Sequence, residues 1–415
     1  MIDTISVIGL GKLGSPLAAV LASRGFKVIG ADKASANVDA LNDGLAPVRE
    51  PGLQELIGKA RVDLAATTDT AEAVASTQAT FVIVPTPSGP DGRFSNDYVI
   101  AACHDIAEGM SWSDTYHLIV ITSTVMPGST MGPIKDALES CGAVCGRDFG
   151  LCYSPEFIAL GNVINGLLRP DAVLIGSEDP LAAATLADIY RRVCENDPPI
   201  ATMNAATAEI AKLALNCFLT TKIGFANFIG WLCRSVPHTN SHDVMNFLGL
   251  DSRISSKYLR PGPPFGGPCF PRDNRALSAY ARNLWMPAAL PDAIHQLNEY
   301  GIERIVQEVK KVAKRGDCVA ILGLAYKAGT HITEDSPSMA LIERLVEESF
   351  TVVAHDPMIE GRSAETAIDG AHVVVIMLPY PEFGILPFQN QIVIDCWNIV
   401  EHVPKGIQLI KIGVG

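Results

Sequence analysis

The sequence contains no Cys-x-x-Cys pair. Its ten cysteines stand at 103, 141, 145, 152, 194, 217, 233, 269, 318 and 396, with no matching histidine ladder, so no metal site is expected. Buried, reduced thiols are the expectation for all but one of them. Positive charge is also scarce. Lys and Arg number 32 against 45 Asp and Glu, a net charge of −13, which excludes sequence-independent nucleic-acid binding through a basic field. No apolar run approaches the ~20 residues that span a bilayer, so no membrane partner is expected. The chain opens Met1-Ile2-Asp3 without the basic segment of a signal peptide. No short-period repeat or low-complexity tract is present. A cytoplasmic globular protein is the expectation.

What is present points to an α/β protein. At 415 residues the length suggests two or three domains of roughly 100–200 residues each. Residues 4–9 read as a buried strand, Leu13–Ser23 as a helix and Lys27–Gly30 as a second strand. Apolar, β-branched runs recur at Ala79–Val84, Leu118–Thr122 and Ala172–Ile175. Strands alternating with helical patterns mean a parallel sheet covered on both faces. From Thr202 to about Arg234 the spacing of Ile210, Leu213, Ala214, Cys217, Phe218 and Ile223 predicts one long helix. Such a helix, about 50 Å long, connects domains or packs against a second subunit. Strands return at Cys318–Leu322, Thr351–Ala354, Val373–Leu378 and Ile392–Asp395. The expected architecture is two Rossmann-like, doubly wound parallel-sheet domains, 1–200 and 301–415, joined by a helical region, 201–300.

Gly9-Leu-Gly11-Lys-Leu-Gly14 is a G-x-G-x-x-G segment between a strand and a helix, the context in which it binds a dinucleotide. The glycines allow a tight turn, close approach of a pyrophosphate and helix–strand packing. The helix start supplies free N–H groups. Asp32, at the end of the second strand, is placed to accept ribose hydroxyls and would repel a 2′-phosphate, so NAD is expected rather than NADP. The second half has no such fingerprint. Its first strand ends Gly323-Leu-Ala-Tyr-Lys327, where Lys327 is either a phosphate contact or a solvated lysine.

The exceptional cysteine is Cys269, in Phe265-Gly-Gly-Pro-Cys-Phe-Pro-Arg-Asp273. Glycines there would let the backbone approach a ligand, and prolines would stiffen the loop. A free thiol is only a few per cent thiolate at neutral pH, so a nucleophile needs cations nearby. Arg253, Lys257, Arg260, Arg272, Arg275 and Arg282 accompany one acid, Asp273, in this stretch, which suggests an anionic ligand. A buried thiol in a rigid turn is the alternative. Lys212 and Asn216, four apart on the long helix, share a face and could hold an oxyanion; a solvated stripe is the alternative.

Taken together these segments resemble the UDP-glucose/GDP-mannose dehydrogenase family over nearly the whole chain. The resemblance rests on the glycine fingerprint, Glu50-Pro-Gly-Leu53, Pro85-Thr-Pro87, Asp91-Gly92, Ser123-Thr124-Val-Met-Pro127 and Ser154-Pro-Glu156-Phe157. It continues through Glu209-x-x-Lys212-x-x-x-Asn216, the cysteine loop and Gly323-Leu-Ala-Tyr-Lys327. The loop is most similar to that of the UDP-glucose 6-dehydrogenases. The resemblance implies four-electron oxidation of a nucleotide-sugar C6 alcohol to the acid, through a thiohemiacetal and a thioester on Cys269. Lys212 and Asn216 would stabilise oxyanions, Asp273 and Thr124 would position water, and Glu156 would assist thioester hydrolysis. NAD would contact Gly9, Gly11, Lys12, Leu13, Gly14, Asp32, Pro85, Thr86, Thr124 and Arg272. The sugar nucleotide would contact Phe157, Lys212, Asn216, Tyr258, Phe265, Gly266, Gly267, Tyr326 and Lys327. Arg253 would reach the substrate of a neighbouring subunit, which with the long helix implies a homodimer or larger.

Three positions depart from the family pattern. Leu160 replaces a glutamate, Glu334 an NAD-contacting arginine and Trp397 a sugar-nucleotide-binding arginine. They touch recognition rather than chemistry, so other nucleotide sugars (UDP-N-acetyl-hexosamines, GDP-mannose, dTDP-glucose) stay open as substrates. A non-catalytic sugar-nucleotide- or NAD-binding homologue is the alternative from another class. A two-Rossmann 3-hydroxy-acid dehydrogenase, which needs no cysteine, is a third.

Overall fold

The computed structural model describes residues 2–111 and 115–415. The chain forms two compact units, Met1–Leu213 and Ala214–Gly415. The first is built on eight strands: β1 (Thr4–Ile8), β2 (Lys27–Ala31), β3 (Leu64–Thr67), β4 (Ala79–Val82), β5 (His117–Ile121), β6 (Phe149–Tyr153), β7 (Val173–Gly176) and β8 (Ile200–Met203). Their order is β3-β2-β1-β4-β5-β6-β7-β8. The second unit holds β9 (Cys318–Leu322), β10 (Thr351–His355), β11 (Val373–Ile376), β12 (Ile392–Asp395) and β13 (Leu409–Lys411), ordered β10-β9-β11-β12-β13 and parallel throughout. The first sheet departs from the expected parallel pattern at one junction. β6 meets β7 antiparallel, through the single pair Tyr153↔Gly176.

Both sheets are covered on two faces, as near-continuous Val/Ile/Leu strands require. In β5, Leu118 and Val120 enter one core cluster while Ile119 and Ile121 enter the other. In β11, Val373 and Val375 pack on one side and Val374 and Ile376 on the other. This two-residue alternation is the doubly wound arrangement read from the sequence. Each sheet reverses its winding direction once, between β1 and β4 and between β9 and β11. Ligands of open α/β sheets bind beyond the carboxyl ends of the strands at such points.

The two units repeat one local device. Gly9 and Gly323 each follow the first strand with φ of +98° and +94°, a region that disfavours any side chain. Each donates its N–H, at 2.7 Å, to the last or near-last carbonyl of the second strand, Ala31 and His355. Asp32 accepts from Leu10 N at 2.6 Å, and Asp356 accepts from Leu324 N at 2.7 Å and Ala325 N at 3.0 Å. Asp356 is 2% exposed and also accepts from Met358 N at 2.8 Å, whereas Asp32 is only partly buried.

The long helix, the central helix below, spans Ala205–Arg234, about 45 Å. It starts later than Thr202 because β8 takes Ile200–Met203 and Asn204 accepts from Thr207 N at 2.8 Å, capping the helix. By length and composition it is apolar enough to cross a bilayer, which the sequence reading did not anticipate. Buried Glu209, Lys212 and Asn216 interrupt its face.

One buried network lies at the amino-terminal side of the first sheet. His117, 5% exposed, bonds through Nε2 to Thr80 Oγ1 at 2.7 Å, and Thr80 Oγ1 bonds to Ser6 Oγ at 2.7 Å. Burial lowers its pKa to about 4. The unfolded chain therefore takes up a proton near pH 6.5 that the folded chain refuses until about pH 4. Stability is full above pH 6.5 and falls by about 3 kcal/mol as pH drops toward 4. Denaturant unfolding of wild type and His117→Asn at pH 7.5 and 4.5 checks this. The variant should lose much of the wild-type pH slope, and identical slopes would refute the assignment.

Candidate active site

In the first unit the three glycines have separable reasons. A Cβ on Gly14 would meet Gly9 O at 1.7 Å, and one on Gly9 would meet Ile83 O at 2.6 Å. A Cβ on Gly11 would meet nothing within 4 Å. Gly9 and Gly14 are thus required by the turn and by helix–strand packing, and Gly11 faces open space. The helix Gly14–Ser23 has no side-chain cap and no acid in its first turn. A loop of this kind fits a dinucleotide pyrophosphate. Asp32 stands beside it, engaged by Leu10 N, by Ala34 N at 2.8 Å and by Asn37 Nδ2 at 3.3 Å. A carboxylate has about four acceptor positions, so ribose hydroxyls can still be received. Lys12 and Pro85 are exposed, Leu13 is half-buried and Thr86 is buried. Thr86 Oγ1 donates to Thr124 O at 2.8 Å, joining the loops that follow β4 and β5.

The same unit brings Lys212, Glu156 and Phe157 together. Lys212 is 6% exposed. Its Nζ donates to Glu156 O at 2.5 Å and lies 4.6 Å from the Phe157 ring centroid. A solvated stripe is therefore excluded for Lys212. The Glu156 residue is partly exposed, but its Oε1 is buried without a hydrogen-bond partner. Burial raises the Glu156 pKa to about 7, against the opposing pull of the Lys212 ammonium. A carboxyl titrating there can serve as acid or base at neutral pH. Leu160 packs against the apolar core of this unit.

In the second unit Cys269 is exposed and forms the N-cap of the cysteine helix, Phe270–Asn283. The partial positive charge at a helix start favours a thiolate. Buried thiols behave oppositely: burial pushes Cys103, Cys152 and Cys217 up to about 12. The expectation that every other cysteine is buried needs correcting, because Cys141 is exposed and Cys145 and Cys318 are half-buried. Asp273, 2% exposed, lies one turn along the cysteine helix. It accepts from Asn216 Nδ2 at 2.6 Å, and Arg272 Nε stands 3.9 Å from its Oδ1.

The loop before Cys269 is held by two amide brackets. Asn227 accepts from Gly262 N at 2.9 Å and donates to Pro263 O at 3.1 Å. Asn298 accepts from Phe265 N and donates to Phe265 O, both at 2.8 Å. Its glycines have a packing reason that the sequence did not reveal. A Cβ on Gly266 would meet Asp335 O at 2.2 Å, and one on Gly267 would meet the Tyr326 ring at 2.4 Å. Protein packing by itself demands glycine at both positions. Lys327 is half-buried, its Nζ 6.0 Å from the Tyr326 ring centroid.

The basic cluster is largely answered from within. Arg253 pairs with Asp251 at 2.6 Å, Arg275 with Asp335 at 3.5 Å and Arg282 with Asp292 at 2.6 Å. The count of cations along the segment therefore overstated the positive field. Arg253 and Tyr258 are exposed, and Tyr258 sits at φ +63°. Arg260 donates to Trp397 O at 2.8 Å and lies 5.3 Å from the Trp397 ring centroid. It opens onto a cavity of about 510 Å³ that His242, Lys411, Asn240, Asn246 and Asn398 also line, with no carboxylate in its wall. Sequence reasoning missed this cavity, because its lining comes from four separated segments.

Comparison with known proteins gives the family. Models of one family match in order along the chain: its NAD binding domain at residues 3–194, its central domain at 206–300 and its UDP binding domain at 320–402. The chain belongs to the UDP-glucose/GDP-mannose dehydrogenase family. It is an NAD-dependent nucleotide-sugar dehydrogenase. Within the family it is 34% identical to the UDP-glucose 6-dehydrogenase AglM of Haloferax volcanii, over 95% of this chain and 97% of that one. It is 36% identical to the GDP-mannose 6-dehydrogenase of Pseudomonas syringae pv. tomato, over 86% and 81%. A solved UDP-glucose dehydrogenase from Pyrobaculum islandicum superimposes with a TM-score of 0.92 at 31% identity, covering 100% and 98% of the two chains.

Proposed function

We propose that the protein oxidises the C6 alcohol of UDP-glucose to UDP-glucuronate, with Cys269 as the covalent nucleophile. The observation that carries this reading is an exposed cysteine at a helix N-terminus, four residues before a buried aspartate held by Asn216. Two NAD molecules, bound in turn, would each accept one hydride, one in each oxidation. The Cys269 thiolate adds to the C6 aldehyde, and the oxyanion that develops is met by the Lys212 ammonium and the Asn216 amide. After the second oxidation the carbon is a thioester. Glu156, whose pKa burial raises to about 7, takes a proton from the attacking water in its ionised form, and Cys269 leaves as thiolate. Thr124 and Asp273 orient that water. Thr86 and Arg272 flank the dinucleotide, while Phe157, Phe265, Tyr326 and Lys327 border the sugar nucleotide.

We assign the NAD-binding role to residues 1–200, catalytic-loop and association roles to 201–300, and nucleotide-sugar binding to 301–415. The cavity bordered by His242, Arg260 and Lys411 suits the anionic nucleotide end of the substrate. Initial rates with UDP-glucose, GDP-mannose and UDP-N-acetyl-hexosamines test the substrate. UDP-glucose should give the highest kcat/KM; a higher value with GDP-mannose, supported by the 36% identical relative, would replace it. A cytoplasmic location is part of this reading, as all ten cysteines are free.

The working form is a homodimer. Leu215, Phe218, Phe225, Phe228 and Leu232 on the central helix are 43–66% exposed, large apolar side chains on one side of the helix, of the kind that mark an interface. Arg253, paired only with its own loop neighbour Asp251 in the contacts above, would then reach the partner's substrate. Sedimentation of Phe218→Glu/Phe225→Glu should shift the protein to monomer with most activity lost. A wild-type that sediments as a monomer would contradict the association.

A further inference from the structure

Glu209 is the most completely engaged buried acid in the first unit outside the residues given a chemical role. It is 0% exposed and lies on the central helix three residues before Lys212, on the same face. Its Oε2 accepts from Gly128 N at 2.5 Å, and its Oε1 accepts from Thr130 N at 2.8 Å and Thr130 Oγ1 at 2.6 Å. All three donors belong to the segment that leaves β5 through Thr124. That segment is fastened in turn to the loop after β4. Thr86 Oγ1 donates to Thr124 O, Ser123 Oγ donates to Val84 O at 2.7 Å and Val84 N donates to Ser123 Oγ at 2.9 Å.

We propose that Glu209 is a positioning residue for Lys212, fixing the central helix against the Thr124 segment so that the ammonium is presented in a set place. The proposal rests on the reading of Lys212 as an oxyanion donor. A lysine is a point charge on a flexible four-carbon stem, and its tip is steadied by Glu156 O and the Phe157 ring. Those contacts hold the tip only if the helix below it does not slide. A carboxylate suits the task because its two oxygens accept all three donors at once. A glutamine would turn an NH₂ toward one of the backbone N–H groups. Removing one partner of a buried hydrogen-bonded charge leaves donors unpaired, so the helix should shift rather than tolerate the gap. A misplacement of about 1 Å at a reacting group costs on the order of 10²-fold.

The test is a double-mutant cycle on the full-length protein with Glu209→Gln and Lys212→Ala, reading kcat and the dissociation constant for NAD. Glu209→Gln alone should lower kcat by about 10- to 100-fold with NAD binding unchanged. On the Lys212→Ala background the same change should alter kcat by less than about 3-fold, because sites that act through one group are not additive. Equal fold-losses on both backgrounds would mean that Glu209 acts independently of Lys212 and would overturn the proposal, as would a wild-type kcat in Glu209→Gln. If Glu209→Gln does not fold by circular dichroism, Glu209→Asp runs the same cycle, keeping the charge but shortening its reach. A wild-type rate in Lys212→Ala would instead overturn the reading of Lys212 itself, and the proposal with it.

Discussion

Cys269→Ser should abolish uronate formation and sustained NADH production, lowering steady-state kcat on the order of 10⁴-fold or more, while leaving the melting temperature and NAD binding unchanged. The structure separates the chemical from the structural part of this change. Cys269 is exposed and makes no side-chain cap of the cysteine helix. Serine is among the better N-cap residues, so the substitution should be neutral or slightly stabilising. The loss is therefore assigned to the nucleophile: sulfur is a far stronger nucleophile than the hydroxyl that would replace it, which needs a dedicated base to react. Kinetics, differential scanning fluorimetry and NAD titration check the three parts together. Persistent turnover in Cys269→Ser would favour a dehydrogenase that never forms a bond to sulfur. Turnover absent in wild type as well, with NAD still bound, would favour a non-catalytic binding protein.

Glu156→Gln should uncouple the oxidations from hydrolysis. Nothing in the hydride steps requires the carboxylate to carry a proton. A first turnover should therefore release NADH rapidly and then stall, with steady-state rates reduced by about 10²–10⁴-fold. Intact-mass measurement should find the sugar nucleotide on Cys269. The pH dependence of the wild-type hydrolysis step follows from the same group. Burial lifts the Glu156 pKa to about 7, and the base form is the ionised one. The step should quicken as pH rises from 6 to 8 and level off above. Tyr190 does not compete for the role: burial holds its phenol well above the usual range, and it is bonded to Ser154 Oγ at 2.8 Å. A burst absent in Glu156→Gln, or a pH profile flat through 7, would remove Glu156 from hydrolysis.

Much of the fold was legible because the chain repeats a local pattern. Runs such as Leu118–Thr122 and Val373–Leu378 end in turns, and most strands are followed by a helical period. The glycine fingerprint was legible for the same reason: Gly9, Gly11 and Gly14 act within one strand–turn–helix unit, and the structure shows why Gly9 and Gly14 are glycine. The antiparallel contact Tyr153↔Gly176 was not legible, since strand direction depends on the path of the connection. Neither was the role of Gly266 and Gly267, whose neighbours Asp335 and Tyr326 lie some sixty residues away. The basic cluster misled because Asp335 and Asp292 fall outside the window in which charges were counted. Glu209, Asn227 and Asn298 were invisible as brackets, because a buried polar side chain is understood only through its partner. Glu50 shows the same limit. It stands in a motif beside Pro51-Gly52, yet its work is to accept from Gly161 N at 3.0 Å and Val163 N at 2.7 Å. The candidate site residues that could be read were those whose chemistry is unusual in itself, a cysteine in a rigid loop and a lysine on an apolar helix.

The central claim is a four-electron oxidation through Cys269, and the most direct measurement is the number of NADH molecules formed per sugar nucleotide consumed, taken to completion with limiting UDP-glucose. The account predicts two NADH per sugar and one uronate product, with free aldehyde never accumulating. One NADH per sugar, with the aldehyde released as product, would contradict it.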